Sequence, residues 1–291
     1  MRFMFCGDPH GEFELIRGYG QNADVVVLLG DQTPEKPLVE ELGPVVLERA
    51  WFILGNHDSD SAGYIAAHRE ENFWSRNLHA KVLEFGGLRI ASLGGVFRGH
   101  VWEPRTEDIR YWTREAMIAA TPLKKRFIGG LQERHWSSIF PEDFETLAAQ
   151  APADLLISHE APENHKHGFR VIGDLARALG VRAIIHGHHH RAYQTEIEGG
   201  ITVIGVAIKG VHIMDEFDIE ALPKARGWKA AKRNLLDRLH EMKVGILEKY
   251  RQLSHTLETP PLLLVFLSMS LEHKTIKSGH RFSKMPRHIS Q

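Results

Sequence analysis

Cysteine is nearly absent from this chain. Its 291 residues contain a single one, Cys6, so no internal disulfide can form and a thiolate-built zinc knuckle is excluded. Cys6 lies in the apolar run RFMFC just before Gly7, which reads as a small core residue rather than a nucleophile. Long hydrophobic runs are missing as well. The longest, LLLVFLSMSL at 262–271, is about half of the roughly 20 residues a membrane span needs. The opening MRFMFCGDPHGEF reaches Asp8 and His10 before an apolar signal-peptide core can form. The expected location is therefore cytoplasmic, with no membrane contact. Positive charge is the third shortage, and it is local. Residues 1–223 carry 22 Lys and Arg against 32 Asp and Glu, a net of −10, whereas 224–291 carry 14 against 5, a net of +9. An acidic body argues against a broad groove for a phosphate backbone.

Histidine is abundant, with 19 residues, and 43% of the chain is hydrophobic, enough for a substantial core. The runs RFMFC (2–6), DVVVLL (24–29) and AWFIL (50–54) lack polar alternation, as suits strands buried on both faces. EFELIRGYGQ and PLVEELGPVVLER between them read as crossover helices, giving βαβ grammar. AKVLEFGGLRIASLGG (80–95) reads as a hairpin turning at Gly86 and Gly87. From 97 to about 150 the pattern loosens into a partly helical insertion or cap. Alternation resumes with ADLLISH (153–159), a helix near 170–180 and VRAIIHG (181–187), followed by a meander. The domain is expected to cover 1–216, and 217–291 to form a basic helical tail with a disordered end. In the tail, Leu235, Leu239, Met242, Ile246, Tyr250 and Leu253 form one apolar helical stripe, which favours a helix packed on the body over a nucleic-acid or membrane contact.

The residues with chemistry fall at strand ends. GDPHG supplies Asp8 and His10, GD supplies Asp31, and GNHD supplies Asn56, His57 and Asp58. His159 closes the next strand, and GHHH supplies His188 and His190. In an extended segment residues i and i+2 point the same way, so Asp8 with His10, and His188 with His190, are each expected to reach one ion. His189, between the last two, is expected to be an exposed bystander. Strand C-termini of an α/β sheet line a common crevice, so segments spread over 8–190 can converge. Mixed Asp, His and Asn ligands suit manganese, iron, zinc, cobalt or nickel rather than calcium. Each fragment alone is a weak signal; the ordered set of five is not.

That order, D-x-H, GD, GNH-[DE], H, G-H-x-H, resembles the signature of the calcineurin-like metallophosphoesterase family over roughly residues 1–215. The resemblance implies an α/β fold with a central β-sandwich flanked by helices, and a dinuclear centre that hydrolyses phosphate esters. By the resemblance, Asp8, His10 and His190 look like ligands of one metal and Asn56, His159 and His188 like ligands of the second, with Asp31 bridging. His57 is similar to the histidine that contacts the phosphate or protonates the leaving group, with Asp58 holding its imidazole. Two divalent ions, manganese first among them, would share a water and lower its pKa to about 7, so that a bridging hydroxide attacks phosphorus. The chain departs from the protein-phosphatase branch, since GD continues as GDQTPEKP rather than with an Asp-Arg-Gly run. A phosphodiester or small phosphoester, a nucleotide included, is thus the expected substrate.

Two other readings stay open. The basic tail would supply backbone contacts to a nuclease or nucleic-acid-end phosphatase. A non-catalytic interaction module on the same scaffold is the alternative of another class. Arg98 reads as a surface salt bridge more readily than as a phosphate contact. At least two of Trp102, Trp112 and Trp136 read as core rather than as base-stacking walls.

Overall fold

The structure, a computed structural model, describes residues 1–254. The expected disordered end and the apolar run at 262–271 lie outside the described residues. The first half runs β1 (Arg2–Gly7), α1 (Glu14–Gly20), β2 (Val25–Leu28), α2 (Leu38–Leu47), β3 (Ala50–Phe52), α3 (Ala62–Ala67), β4 (Lys81–Phe85) and β5 (Leu88–Leu93). The segment expected to be a cap contains β6 (Trp102–Glu103), β7 (Asp108–Ile109), α4 (Arg114–Ala120) and α5 (Pro141–Ala149), joined by short 3₁₀ turns. The chain continues through β8 (Leu155–Ser158), α6 (Arg170–Leu179), β9 (Ala183–His186), β10 (Tyr193–Ile197), β11 (Ile201–Gly205), β12 (Gly210–Asp215), α7 (Glu216–Ala221) and α8 (Trp228–Ser254).

Two sheets form the centre. One is ordered β12-β1-β2-β3 and the other β10-β11-β9-β8-β5-β4. Strands β1, β2 and β3 are mutually parallel, as are β5, β8, β9 and β11, while β12, β4 and β10 run antiparallel beside them. Alternate side chains of each strand serve different cores because the side-chain period of a strand is two. Phe3, Phe5, Val25 and Val27 face Leu155, Ile157, Ala183 and Ile185 between the sheets. Met4, Cys6, Val26 and Leu28 point the other way, onto Ile16 of α1 and Leu38, Leu42 and Val46 of α2. Leu156, Ile184 and Val203 meet α5, α6 and α8 through Phe144, Leu147, Ile172, Leu175 and Leu239. The inner strands are therefore dry on both faces, which is why they show no polar alternation, while β4, β10 and β12 at the edges stay partly exposed. Cys6 is fully buried, as its apolar context predicts.

The crossover helix expected over PLVEELGPVVLER is broken. Gly43 has φ 70°, and Pro44 restarts the helix, because a proline lacks the N–H that a continuous helix would need there and clashes with the preceding turn. The stripe of α8 packs as expected, with Leu235, Leu239 and Leu247 buried and Met242 and Ile246 against the same core. The side chains of Tyr250 and Leu253 lie outside the description. Cations of the tail reach the acidic body: Arg238 pairs with Glu107 and Asp174, and Lys224 with Asp154. Among the described residues no helix is long and apolar enough to cross a membrane. Trp102 and Trp112 are buried core residues, and half-buried Trp136 packs edge-on against Trp74.

Candidate metal centre

All seven proposed ligands follow β1, β2, β3, β8 or β9 within a few residues, and the structure gathers them at one end of the sandwich. The crevice lies across the ends of both sheets rather than along one open sheet. Ligand atoms of Asp8, His10, Asp31 and His190 lie within 4.8 Å of one another, and so do those of Asp31, His159 and His188. Asp31 belongs to both groups. Asn56 joins the second, its Oδ1 standing 3.3 Å from His159 Nε2. A third set, Glu160, His188 and His189, shares His188 with the second.

The backbone reason for this convergence differs from the extended i, i+2 geometry expected. Asp8 has φ 40°, His10 46°, Asp31 52°, His188 69° and His190 59°, so these loops coil back instead of running on. Non-glycine residues rarely adopt positive φ, at a cost of about 1–3 kcal/mol each. Five of the ten such residues in the described chain are proposed ligands, so the strain is concentrated where ligand atoms must meet. Cross-loop bonds hold the arrangement. His188 N donates to the Asp8 carboxylate at 2.9 Å, His10 N to Asp31 O at 3.0 Å, and His57 N to Asp31 Oδ1 at 2.8 Å. The glycines before the ligands are spatial necessities. A Cβ on Gly30 would strike the His159 ring, and one on Gly55 would strike the Asp31 carboxylate.

The electrostatics fit divalent cations. His159 Nδ1 donates to Leu29 O at 2.7 Å, which leaves Nε2 as the lone pair facing Asn56 and, at 3.5 Å, Asp31. Burial raises the Asp8 carboxyl to about 6 despite nearby His159. Burial would also raise Asp31, but His159 and the His57 N–H outweigh it and hold Asp31 below the usual carboxylate range. For His159 burial works downward, yet Asp31 and Asp8 lift the imidazole to about 10. The buried carboxylates thus demand a positive partner, and a divalent ion can replace the imidazole proton. Burial pushes His188 down to about 3 and lowers His10, leaving neutral rings with lone pairs to give. His10 Nε2 and His190 Nε2 face each other at 3.4 Å, a spacing that suits two ligands of one ion.

Asp58 does not hold His57. The Asp58 carboxylate is fully buried, accepts from Thr33 N at 3.0 Å and Gly55 N at 2.8 Å, and lies 3.7 Å from His68 Nε2. It ties the GD loop to the GNHD loop. His57 Nδ1 instead meets Asp60 Oδ2 at 2.6 Å. Residues 57–59 form a 3₁₀ turn, in which positions i and i+3 eclipse, so the partner is the aspartate three residues on. The sequence GNHDSD held that signal. Two further expectations change. His189 is half-buried and stacks on His165 with ring centroids 3.6 Å apart, so it is packed rather than a bystander. Arg98 forms no surface salt bridge among the described residues; its Nη2 donates to Asn56 O and Ser137 Oγ, each at 3.3 Å, beside the centre. Glu160, buried next to His159 in sequence, has Oε2 3.9 Å from His188 Nε2 and was not marked by any motif.

Residues 1–192 match the sequence profile of the calcineurin-like phosphoesterases. An uncharacterized protein of Haemophilus influenzae is 40% identical over 207 residues, covering 69% of this chain and 90% of that protein. The crystal structure of TT1561 of Thermus thermophilus shares the fold at 15% identity, with a TM-score of 0.50 over 77% of this chain and 96% of that one. The matched profile spans every ligand loop described above, and the chain belongs to the calcineurin-like phosphoesterase family, whose members are metal-dependent phosphoric ester hydrolases.

Proposed function

We propose that this chain hydrolyses a phosphodiester or small phosphoester at a dinuclear centre, with manganese as the working metal. The observation that carries the reading is the pair of ligand groups sharing Asp31. Asp8, His10 and His190 would hold one ion, and Asn56, His159 and His188 the other, with Asp31 between. Ions held there supply an activated water and a clamp on the phosphoryl oxygens. The chain itself supplies orientation and proton transfer. His57, half-exposed at the mouth with its ring centroid 5.5 Å from that of His10, points Nε2 away from Asp60, in position to protonate the leaving oxygen. Asp60 fixes the tautomer by accepting from Nδ1. The tail cations that would serve a nuclease are partly engaged by Glu107, Asp174 and Asp154, so no observation favours that reading.

The test is hydrolysis of bis-p-nitrophenyl phosphate and p-nitrophenyl phosphate by chelator-stripped protein, with manganese, nickel, zinc or magnesium restored. Turnover is expected to depend on metal, and to fall by about 10²–10⁴ in His57→Ala while that variant retains its ions. The faster ester separates diesterase from monoesterase. No turnover of either ester with any metal contradicts the reading.

A further inference from the structure

Beside the metal centre lies a cavity of about 560 Å³ lined by Ser59, Asp60, Lys124, Lys125, Arg126, Phe127, Gln132, Glu133 and Arg134. Cations outnumber anions along its wall. Four basic side chains face two carboxylates, whereas residues 1–223 as a whole carry 22 cations against 32 anions. Lys124, Lys125 and Arg134 are exposed, and among the described residues none of the three forms an ion pair. Like charges held together without partners repel. Arg134 lies near enough to Arg98 to help burial push that guanidinium below its usual value. A bound anion offsets all of these terms at once.

The cavity is coupled to the reaction centre through two of its own walls. Asp60 forms part of the wall and is also the carboxylate on His57 Nδ1. Ser59 forms another part, with its hydroxyl 3.1 Å from Arg134 O and 2.5 Å from Ser137 Oγ, which in turn receives Arg98. An anion in the cavity therefore lies on the Nδ1 side of His57, next to the reaction centre. The cavity is open to solvent, its volume suits part of a small molecule, and Phe127 adds one apolar surface.

We infer that this cavity is a subsite for a second phosphate, so that the substrate is a small phosphoester that carries a phosphate besides the one hydrolysed. The inference rests on the proposed phosphoesterase activity and names its substrate class. Lys124, Lys125 and Arg134 hold the second phosphate as exposed point charges, and Arg126, whose Nε is committed to Thr121 O at 2.9 Å, shapes the wall. Discrimination is electrostatic and shrinks as salt is added, with a Debye length of about 8 Å at 0.15 M.

The test compares adenosine 3′,5′-bisphosphate with adenosine 5′-monophosphate as competitors of p-nitrophenyl phosphate hydrolysis by metal-loaded protein at low salt. The bisphosphate is expected to compete at a concentration at least tenfold lower. In the triple variant Lys124→Ala, Lys125→Ala, Arg134→Ala that advantage disappears while kcat for p-nitrophenyl phosphate is unchanged; the single reversal Lys125→Glu weakens it in part. Equal competition by the two nucleotides, or a preference that survives the triple variant, overturns the subsite. If no ester is turned over, the phosphoesterase reading fails by itself, and calorimetric titration of the same two nucleotides into the wild type and the triple variant decides the cavity separately by the same criterion.

Discussion

At the scale of single residues, the two aspartates after His57 have opposite tasks. Asp60 is half-exposed and touches the imidazole, whereas Asp58 is buried and binds only backbone N–H groups and the neighbourhood of His68. Asp60→Asn is expected to lower kcat by a factor on the order of 10 and reshape its pH profile, with thermal stability unchanged. Asp58→Asn leaves one of two buried N–H groups facing an amide and costs about 1–3 kcal/mol of stability. Thermal melts and pH–rate profiles of the two variants check this. Equal kinetic loss with no stability difference contradicts the assignment. The candidate ligands were legible because each follows a strand end in a fixed order, and Asp8, Asp31, Asn56 and His188 stand directly behind a glycine. The His57 partner was not, because choosing between i+1 and i+3 requires the backbone angle of the turn. The i, i+2 pairs were found for an incomplete reason, since positive φ at Asp8, His10, His188 and His190 is invisible in residue types that tolerate but do not demand it.

At the scale of elements, the insertion is held to the body by a buried ionic knot. Arg114, at the start of α4, grips Asp143 of α5 through Nη1–Oδ1 at 2.5 Å and Nη2–Oδ2 at 3.0 Å. His79, in the loop before β4, approaches the same carboxylate at 3.2 Å, and Phe140 N donates to it at 2.8 Å. Burial alone would raise the Asp143 carboxyl, but His79 and Arg114 outweigh it and hold it below its ordinary 3.8. A depressed folded-state value contributes stability above the unfolded value and loses it as pH falls below. The contribution of Asp143 to stability is therefore expected to be flat above 3.8 and to be lost on further acidification. Asp143→Ala removes that acid dependence and costs about 1–3 kcal/mol, because Phe140 N loses its acceptor and Arg114 keeps only Glu142 as counter-charge. Urea melts at neutral and acid pH distinguish the two proteins; identical pH slopes contradict the account. The strands and long helices were legible from apolar runs, but the break at Gly43-Pro44 was not read from PLVEELGPVVLER. The insertion was not, since its short 3₁₀ turns and two-residue strands have no period to read, and the Arg114–Asp143 pair joins positions 29 apart without a motif.

At the scale of the whole molecule, the described part of the basic tail, residues 217–254, is part of the fold rather than an appendage. Helix α8 buries Leu235, Leu239 and Leu247 against α5 and α6, and Arg238 binds Glu107 and Asp174. Ending the chain after residue 222 uncovers that apolar face, and burial of each such side chain is worth about 1.5–3 kcal/mol. The truncated protein is expected to melt earlier and to bind more hydrophobic dye, whereas a tail serving only as a nucleic-acid arm would leave both unchanged. The charge asymmetry between body and tail was visible in the sequence; that it closes on itself depended on which acidic residues face α8.

The central claim is a pair of ions sharing one aspartate, and the most direct measurement is the number of metal ions bound per chain after manganese loading and desalting. The account predicts two for the wild type, one for His190→Ala, and none for Asp31→Ala, all with native circular dichroism. Two ions retained in a folded Asp31→Ala protein, or fewer than two in the wild type under saturating metal, contradict it.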